Sequence, residues 1–176
     1  MLFKTNYSNL NKNNGKNFDP LPTGSYEMII KQAGENATPK GSETFQVELV
    51  VRNDIKENGS YQNRHVFQDN WKRRNGPNAG QYPLKDMQHI LLAAKVPEGT
   101  EIRSMEEFAK VITGKPVRVY VKKEYSEYRG KEVNQVAPWN YEETQYPTVN
   151  HQWSKGKPSP DDQDDEIHID PSQFPF

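Results

Sequence analysis

Across residues 116–125 the chain alternates without a break. Val117, Val119 and Val121 are apolar, and Arg118, Tyr120 and Lys122 stand between them. A period of two puts the valines on one face of a strand and the intervening residues on the other. The same period recurs upstream. Residues 25–33 carry Tyr26, Met28 and Ile30 on one face. Residues 44–52 set Phe45, Val47, Leu49 and Val51 against Gln46, Glu48 and Val50. A third run, 63–71, includes Val66, Phe67 and Trp71. Stretches rich in Gly, Pro and Asn separate these runs and predict turns. Between the third and fourth runs the period lengthens. Leu84, Met87, Leu91 and Ala94 fall at helical spacing with Ile90 beside them, and Pro97 ends the pattern. A second short helix is predicted over 105–112. Ser104 and Glu107 make a capping-box pair before it, and Gly114 and Pro116 stop it. A fifth strand is expected over 131–138, after the Arg129-Gly130 turn.

Three strands, a helical insertion and two strands form an all-β pattern with one or two inserted helices. That order matches the five-stranded OB-fold barrel, which places a helix between strands three and four. A different small antiparallel barrel or an α+β sandwich is the structural alternative. The domain is expected over 21–140. Residues 1–20 read as a flexible arm that carries Lys4, Lys12 and Lys16. Residues 141–160 read as a linker, and 161–176 as a disordered acidic tail.

The tail bears six of the 24 acidic residues and none of the 23 Lys and Arg residues, so it leaves a mildly basic body behind it. Such a division suits a body that meets a polyanion and a tail that does not. Hydrophobic residues make up only 32% of the chain, in keeping with polar tails. With no Cys, disulfides and thiolate metal sites are excluded. No apolar run approaches the ~20 residues that cross a bilayer, and the first residues have no signal-type apolar core. The expectation is a cytoplasmic protein with no membrane partner.

Little in the chain points to catalysis. His65, His89, His151 and His168 are scattered, and no two share a close metal-ligand spacing. No phosphate loop or nucleophile-elbow motif occurs. Glu48, Asp54 and Asp69 could gather around Mg²⁺ as in a nuclease, but their spacing reads more simply as strand surface and turn. The expectation is a non-enzyme with no metal and no cofactor.

Basic and aromatic residues, by contrast, interleave on the elements that would line an OB groove. Phosphates need cations and every base offers a face for stacking, so this mixture is what a single-strand binder uses. The third strand and its loop supply Arg64, Trp71, Lys72, Arg73 and Arg74. The fourth strand supplies Arg118, Tyr120, Lys122, Lys123 and Tyr125, and the next turn Tyr128, Arg129 and Lys131. Phe67 is assigned to the core, and Trp71 divides evenly between core and groove. In the tail, Asp164, Asp165, Glu166 and Asp170 precede Phe174, Pro175 and Phe176. Acids that steer and an aromatic tip that fills a pocket make a partner-binding hook.

Two resemblances follow from particular stretches. Leu21-Pro-Thr-Gly-Ser-Tyr-Glu, Leu49-Val-Val-Arg-Asn-Asp, Asn63-Arg64, Pro97-Glu-Gly-Thr and Phe108 through Gly114-Lys-Pro-Val-Arg-Val resemble a widespread family of phage and prophage proteins of Gram-positive bacteria. That resemblance implies a single-stranded DNA-binding protein acting in phage replication, recombination or repair inside the host cell. The tail is similar to that of bacterial single-stranded DNA-binding proteins, although Pro171-Ser172-Gln173 separates its acids from Phe174-Pro175-Phe176. It implies recruitment of replication and recombination proteins. Homo-oligomerisation stays open. An adaptor that binds no DNA is the alternative function, and a metal-dependent nuclease a more distant one.

Overall fold

β1, Gly24–Ala37, is the strand around which the others assemble. In the computed structural model, which describes residues 19–153, it pairs antiparallel with two partners at once. Its first half lies beside β4, Pro116–Ser126, with Tyr26 opposite Val119 and Met28 opposite Val117. From Met28 to its end at Ala37 it lies beside β2, Glu43–Val51. The register shifts between Ile30 and Gln32, a bulge that bends the strand away from β4. Ile30 is held at that bend from the other side. Its N–H donates to the Lys115 carbonyl at 3.0 Å, and its carbonyl accepts from Gly114 at 2.7 Å. Gly114 has φ +85°, a left-handed conformation that lets the second helix stop and turn into β4.

β3, His65–Trp71, pairs with β2, and β5, Lys131–Gln135, forms a hairpin with the outer half of β4. A three-residue β6, Tyr141–Glu143, pairs with the inner half of β4. The fold is therefore mostly β, with a six-stranded antiparallel sheet ordered β3-β2-β1-β4-β5 and β6 also on β4. It departs from the expected five-stranded closed barrel. Among the described residues no ladder joins β3 to β5 or β6, so the sheet stays open. β5 pairs only with residues 122–126 of β4, beyond the body of the sheet, and β6 is too short to reach across.

Two helices follow β3: α1, Leu84–Ala93, and α2, Met105–Ile112. Met87, Ile90 and Ala93 of α1 and Phe108 and Ile112 of α2 pack on the inner face of the sheet, where Phe45 meets Phe108 edge to face at 4.9 Å. The helical period is as expected, but the buried face is turned. Leu84 is exposed and opens with Leu92 onto an apolar cleft of about 1100 Å³ between the helices. Ser104 caps α2 by accepting from the Glu107 N–H at 3.1 Å.

Residues 141–153 lie within the stretch read as a linker, and they carry structure. Beyond β6, Thr144 and His151 are buried, and the segment lies as a strap on the outer face of the sheet. Arg52, fully buried, holds it. Its guanidinium donates to both carboxylate oxygens of Asp54 at 3.0 and 2.7 Å, and to the carbonyls of Tyr146 at 2.7 Å and Thr148 at 2.8 Å. The first 18 residues and the tail from 154 onward lie outside the described residues, as do the hook residues Asp164, Asp165, Glu166, Asp170, Phe174, Pro175 and Phe176.

Candidate nucleic-acid interface

Alternation on β3 sorts its side chains into two rows. Val66, Gln68 and Asn70 point inward and are buried, while His65, Phe67, Asp69 and Trp71 face outward. Phe67 is 51% exposed and Trp71 44%, which overturns the assignment of Phe67 to the core. The inward row is filled by polar Gln68 and Asn70, whose amides bond to each other at 2.8 and 3.0 Å. Two large rings four residues apart on one strand face stand ~14 Å from each other. Each offers part of a flat apolar surface to solvent.

Two acids lie beside that row. Glu48 stands opposite Phe67 in the β2–β3 register and is buried. Burial pushes its carboxyl up, but the His65 ring at 2.7 Å and Lys31 at 3.9 Å outweigh it and hold the group below its usual range. Asp69 accepts from Thr44 and Gln46, both at 3.2 Å. Glu48 is thus met by cations, whereas Asp69, between the two rings, keeps a charge that no cation among the described residues offsets.

At the upper end of β3 the basic loop begins. Lys72 pairs with Glu43 at 3.2 Å and lies 5.1 Å from the centre of the Tyr82 ring. Arg74 donates to the Ser42 hydroxyl at 2.7 Å. The loop closes on itself, since the Arg73 N–H donates to Gln81 and its carbonyl accepts from Gly80. The Arg73 side chain is exposed and has no ion pair among the described residues.

The second predicted group lies elsewhere. β4 and β5 run past the end of the sheet as a hairpin that carries Lys122, Lys123, Tyr125, Tyr128, Arg129 and Lys131, all exposed. Tyr128 is 94% exposed at the tip. None of these four cations has an ion pair among the described residues, though Glu124, Glu127 and Glu132 lie on the same hairpin. Tyr120, at the hairpin's root, is at the edge of exposure. The hairpin is anchored by Asn134, whose side chain bonds to both the N–H and carbonyl of Leu21 at 2.9 Å.

Two predicted residues are engaged in the fold. Arg118 points outward on β4 but pairs at 3.0 Å with Glu27, which is buried under the strap. Arg64 donates to the Asp19 carbonyl. The structure also separates the two groups. Trp71 lies opposite Thr44, which lies opposite Asn36 near the far end of β1, whereas Tyr120 lies opposite Ser25 near its start. That is on the order of 35 Å of strand path.

Trp153 and Trp139 carried no signal in the sequence, yet they are 39% and 59% exposed. Trp153 meets the His151 ring at 4.4 Å. The strap places it by bonds from Gln152 to Asn53, whose amide also bonds Asn63 just before β3. Among the described residues no group of three or more His, Asp or Glu side chains is arranged to hold a metal ion, and no helix is long and apolar enough to cross a membrane.

A family model described as "Protein of unknown function (DUF669)" matches residues 8–158, and the chain belongs to that family. No curated protein matches the chain.

Proposed function

We propose that this family member binds single-stranded nucleic acid, DNA in the first instance, without catalysis and with little regard to sequence. The observation that carries the reading is the pair of exposed rings, Phe67 and Trp71, in line on the outer face of β3 and continuous with Lys72, Arg73 and Arg74. Successive bases would stack on the rings while the loop neutralises phosphates. The β4–β5 hairpin, with Tyr125, Tyr128 and its four cations, would form a second contact that a strand reaches by crossing the sheet.

Two further points support it. The three-strand meander, the helices before β4, and the pairing of β4 with β1 follow the order expected of an OB fold as far as β4, which supports the reading although the sheet is open. The acidic tail would compete with the nucleic acid for the same cations and present Phe174-Pro175-Phe176 to replication or recombination proteins of a phage-infected cell.

Anisotropy titrations with labelled oligo-dT and with duplex of equal length test the reading. Phe67→Ala and Trp71→Ala should each weaken oligo-dT binding by ~1–3 kcal/mol, and affinity should fall steeply with salt. Equal affinity for duplex, or no effect of either substitution, would refute it.

A further inference from the structure

The strap carries a further exposed ring to the foot of β3. Arg52, one residue past β2, continues the row of Glu48 and Val50, which lie opposite Phe67 and His65 in the β2–β3 register. Its guanidinium bonds to the Tyr146 and Thr148 carbonyls, so the strap runs over the face of the sheet that bears Phe67 and Trp71. The strap's last stretch is then pinned beside the start of β3. The Asn53 N–H donates to His151 Nδ1 at 3.0 Å, and the Asn53 side chain accepts from the Gln152 N–H at 2.9 Å and donates to the Gln152 carbonyl at 2.8 Å. The same Asn53 amide reaches Asn63 at 2.9 Å, two residues before His65. Trp153 follows directly.

These bonds fasten the strap without the Trp153 ring. That ring is 39% exposed, it meets the His151 ring edge to face at 4.4 Å, and its N–H has no hydrogen-bond partner among the described residues. A buried indole usually finds such a partner, so this one is not built as a core residue. The charge nearby is also compensated: Asp54, next to Asn53, is held by Arg52 at 2.7 Å. A phosphate passing this end therefore meets no bare carboxylate from Asp54.

The geometry points to Trp153 as a third stacking platform, which extends the row of Phe67 and Trp71 at the end away from Lys72, Arg73 and Arg74. His65 stands between Trp153 and Phe67, ~7 Å along the strand from Phe67. A base at the foot of β3 would stack on the indole while its neighbours continue onto Phe67 and Trp71. This assignment rests on the nucleic-acid reading and adds to it a binding residue supplied by the strap, outside the β3 ladder.

The full chain labelled with 5-fluorotryptophan tests it. The chain has three Trp residues, and their ¹⁹F signals are assigned by replacing each with Phe in turn. Oligo-dT should shift the signals of Trp71 and Trp153. It should leave in place that of Trp139, in the turn 138–140 that lies against α1. By anisotropy, Trp153→Ala should weaken oligo-dT binding by about tenfold, and Trp153→Phe by clearly less. Should Trp153→Ala also open the strap, seen as faster proteolysis in 144–153, the wild-type ¹⁹F signal decides. A Trp153 signal that oligo-dT does not move would make the ring a fastening of the strap and overturn the assignment. Trp153→Ala binding within about twofold of wild type would overturn it too. If Phe67→Ala and Trp71→Ala weaken binding and Trp153→Ala does not, this assignment alone fails. If the wild type does not bind oligo-dT, the nucleic-acid reading fails with it.

Discussion

The hydroxyl of Tyr141 on β6 donates to Oε1 of Gln68 on β3 at 2.9 Å, across the open side of the sheet where no ladder forms. Both side chains are buried, and burial pushes the Tyr141 hydroxyl well above its ordinary pKa, so it stays a donor. The same Gln68 oxygen accepts from Asn70, and Asn70 also donates to the Phe45 carbonyl at 3.0 Å. A side-chain relay thus ties the two margins together in place of backbone bonds. Tyr141→Phe keeps the ring and removes the donor, and it leaves Gln68 bonded to Asn70. Stability should fall by about 1 kcal/mol, read as a lower urea midpoint at unchanged slope.

Arg52 is the clasp of the strap. Arg52→Met would leave the carbonyls of Tyr146 and Thr148 without this donor, and Asp54 without its cation and with only the Asn150 N–H. The expected loss is about 3–5 kcal/mol by urea denaturation, with proteolysis beginning in 144–153. A loss near 1 kcal/mol would show that water replaces the guanidinium without difficulty.

Acidification should loosen the same strap. His151 accepts the Asn53 N–H on Nδ1 at 3.0 Å, a bond only the unprotonated nitrogen can make. Burial chiefly, with Arg52 and His65 adding, lowers its pKa against the opposing pull of Asp54. The unfolded chain takes up this proton first, near pH 6.5. The contribution is therefore full above ~6.5 and is lost as pH falls from there through the folded value. Asp54 acts further down. Burial raises it, but its bonds from Arg52 and the Asn150 N–H bring it net below the usual carboxylate range, so its share is lost only as pH falls below about 4. Urea midpoints at about pH 7.5 and 5.5 should differ, and His151→Asn should flatten the difference.

Arg118 and the hairpin cations should separate in their effects. Arg118→Met strips buried Glu27 of its cation, although Thr144 and the Gln145 N–H still bond it. It should cost up to about 3 kcal/mol of stability and change the salt slope of oligo-dT binding little. Replacing Lys122, Lys123, Arg129 and Lys131 by Gln should leave the urea midpoint nearly unchanged. Every phosphate that these cations neutralise in the wild type should then drop out of the salt slope, by ~0.7 apiece. The reverse pattern would place the strand near Arg118.

Deleting residues 161–176 removes six acids, so oligo-dT affinity should rise, most at low salt. Phe176→Ala keeps those acids and should leave that affinity alone while it weakens capture of partner proteins. Recovery of the same partners by wild type and Phe176→Ala would reduce the tail to a charged spacer.

What the amino-acid sequence determined by itself is whatever depends on neighbours close along the chain. The period-two runs became β1 to β4, and the Ser104 cap opened α2, because strand alternation and capping act over two to four residues. The facing of those elements was decided elsewhere. Alternation says that the two rows of β3 differ, not which is inward. Gln68 and Asn70 took the inward row because Tyr141, more than 70 residues away in the chain, supplies a buried partner, and this turned Phe67 to solvent. β6 is three residues long, too short to show a period, and the strap is held by bonds from Arg52 more than 90 residues upstream. Contacts of that separation exist only once the sheet has assembled. For the same reason the basic and aromatic residues, each legible one by one, were parted by the sheet into a row on β3 and a hairpin at its opposite end.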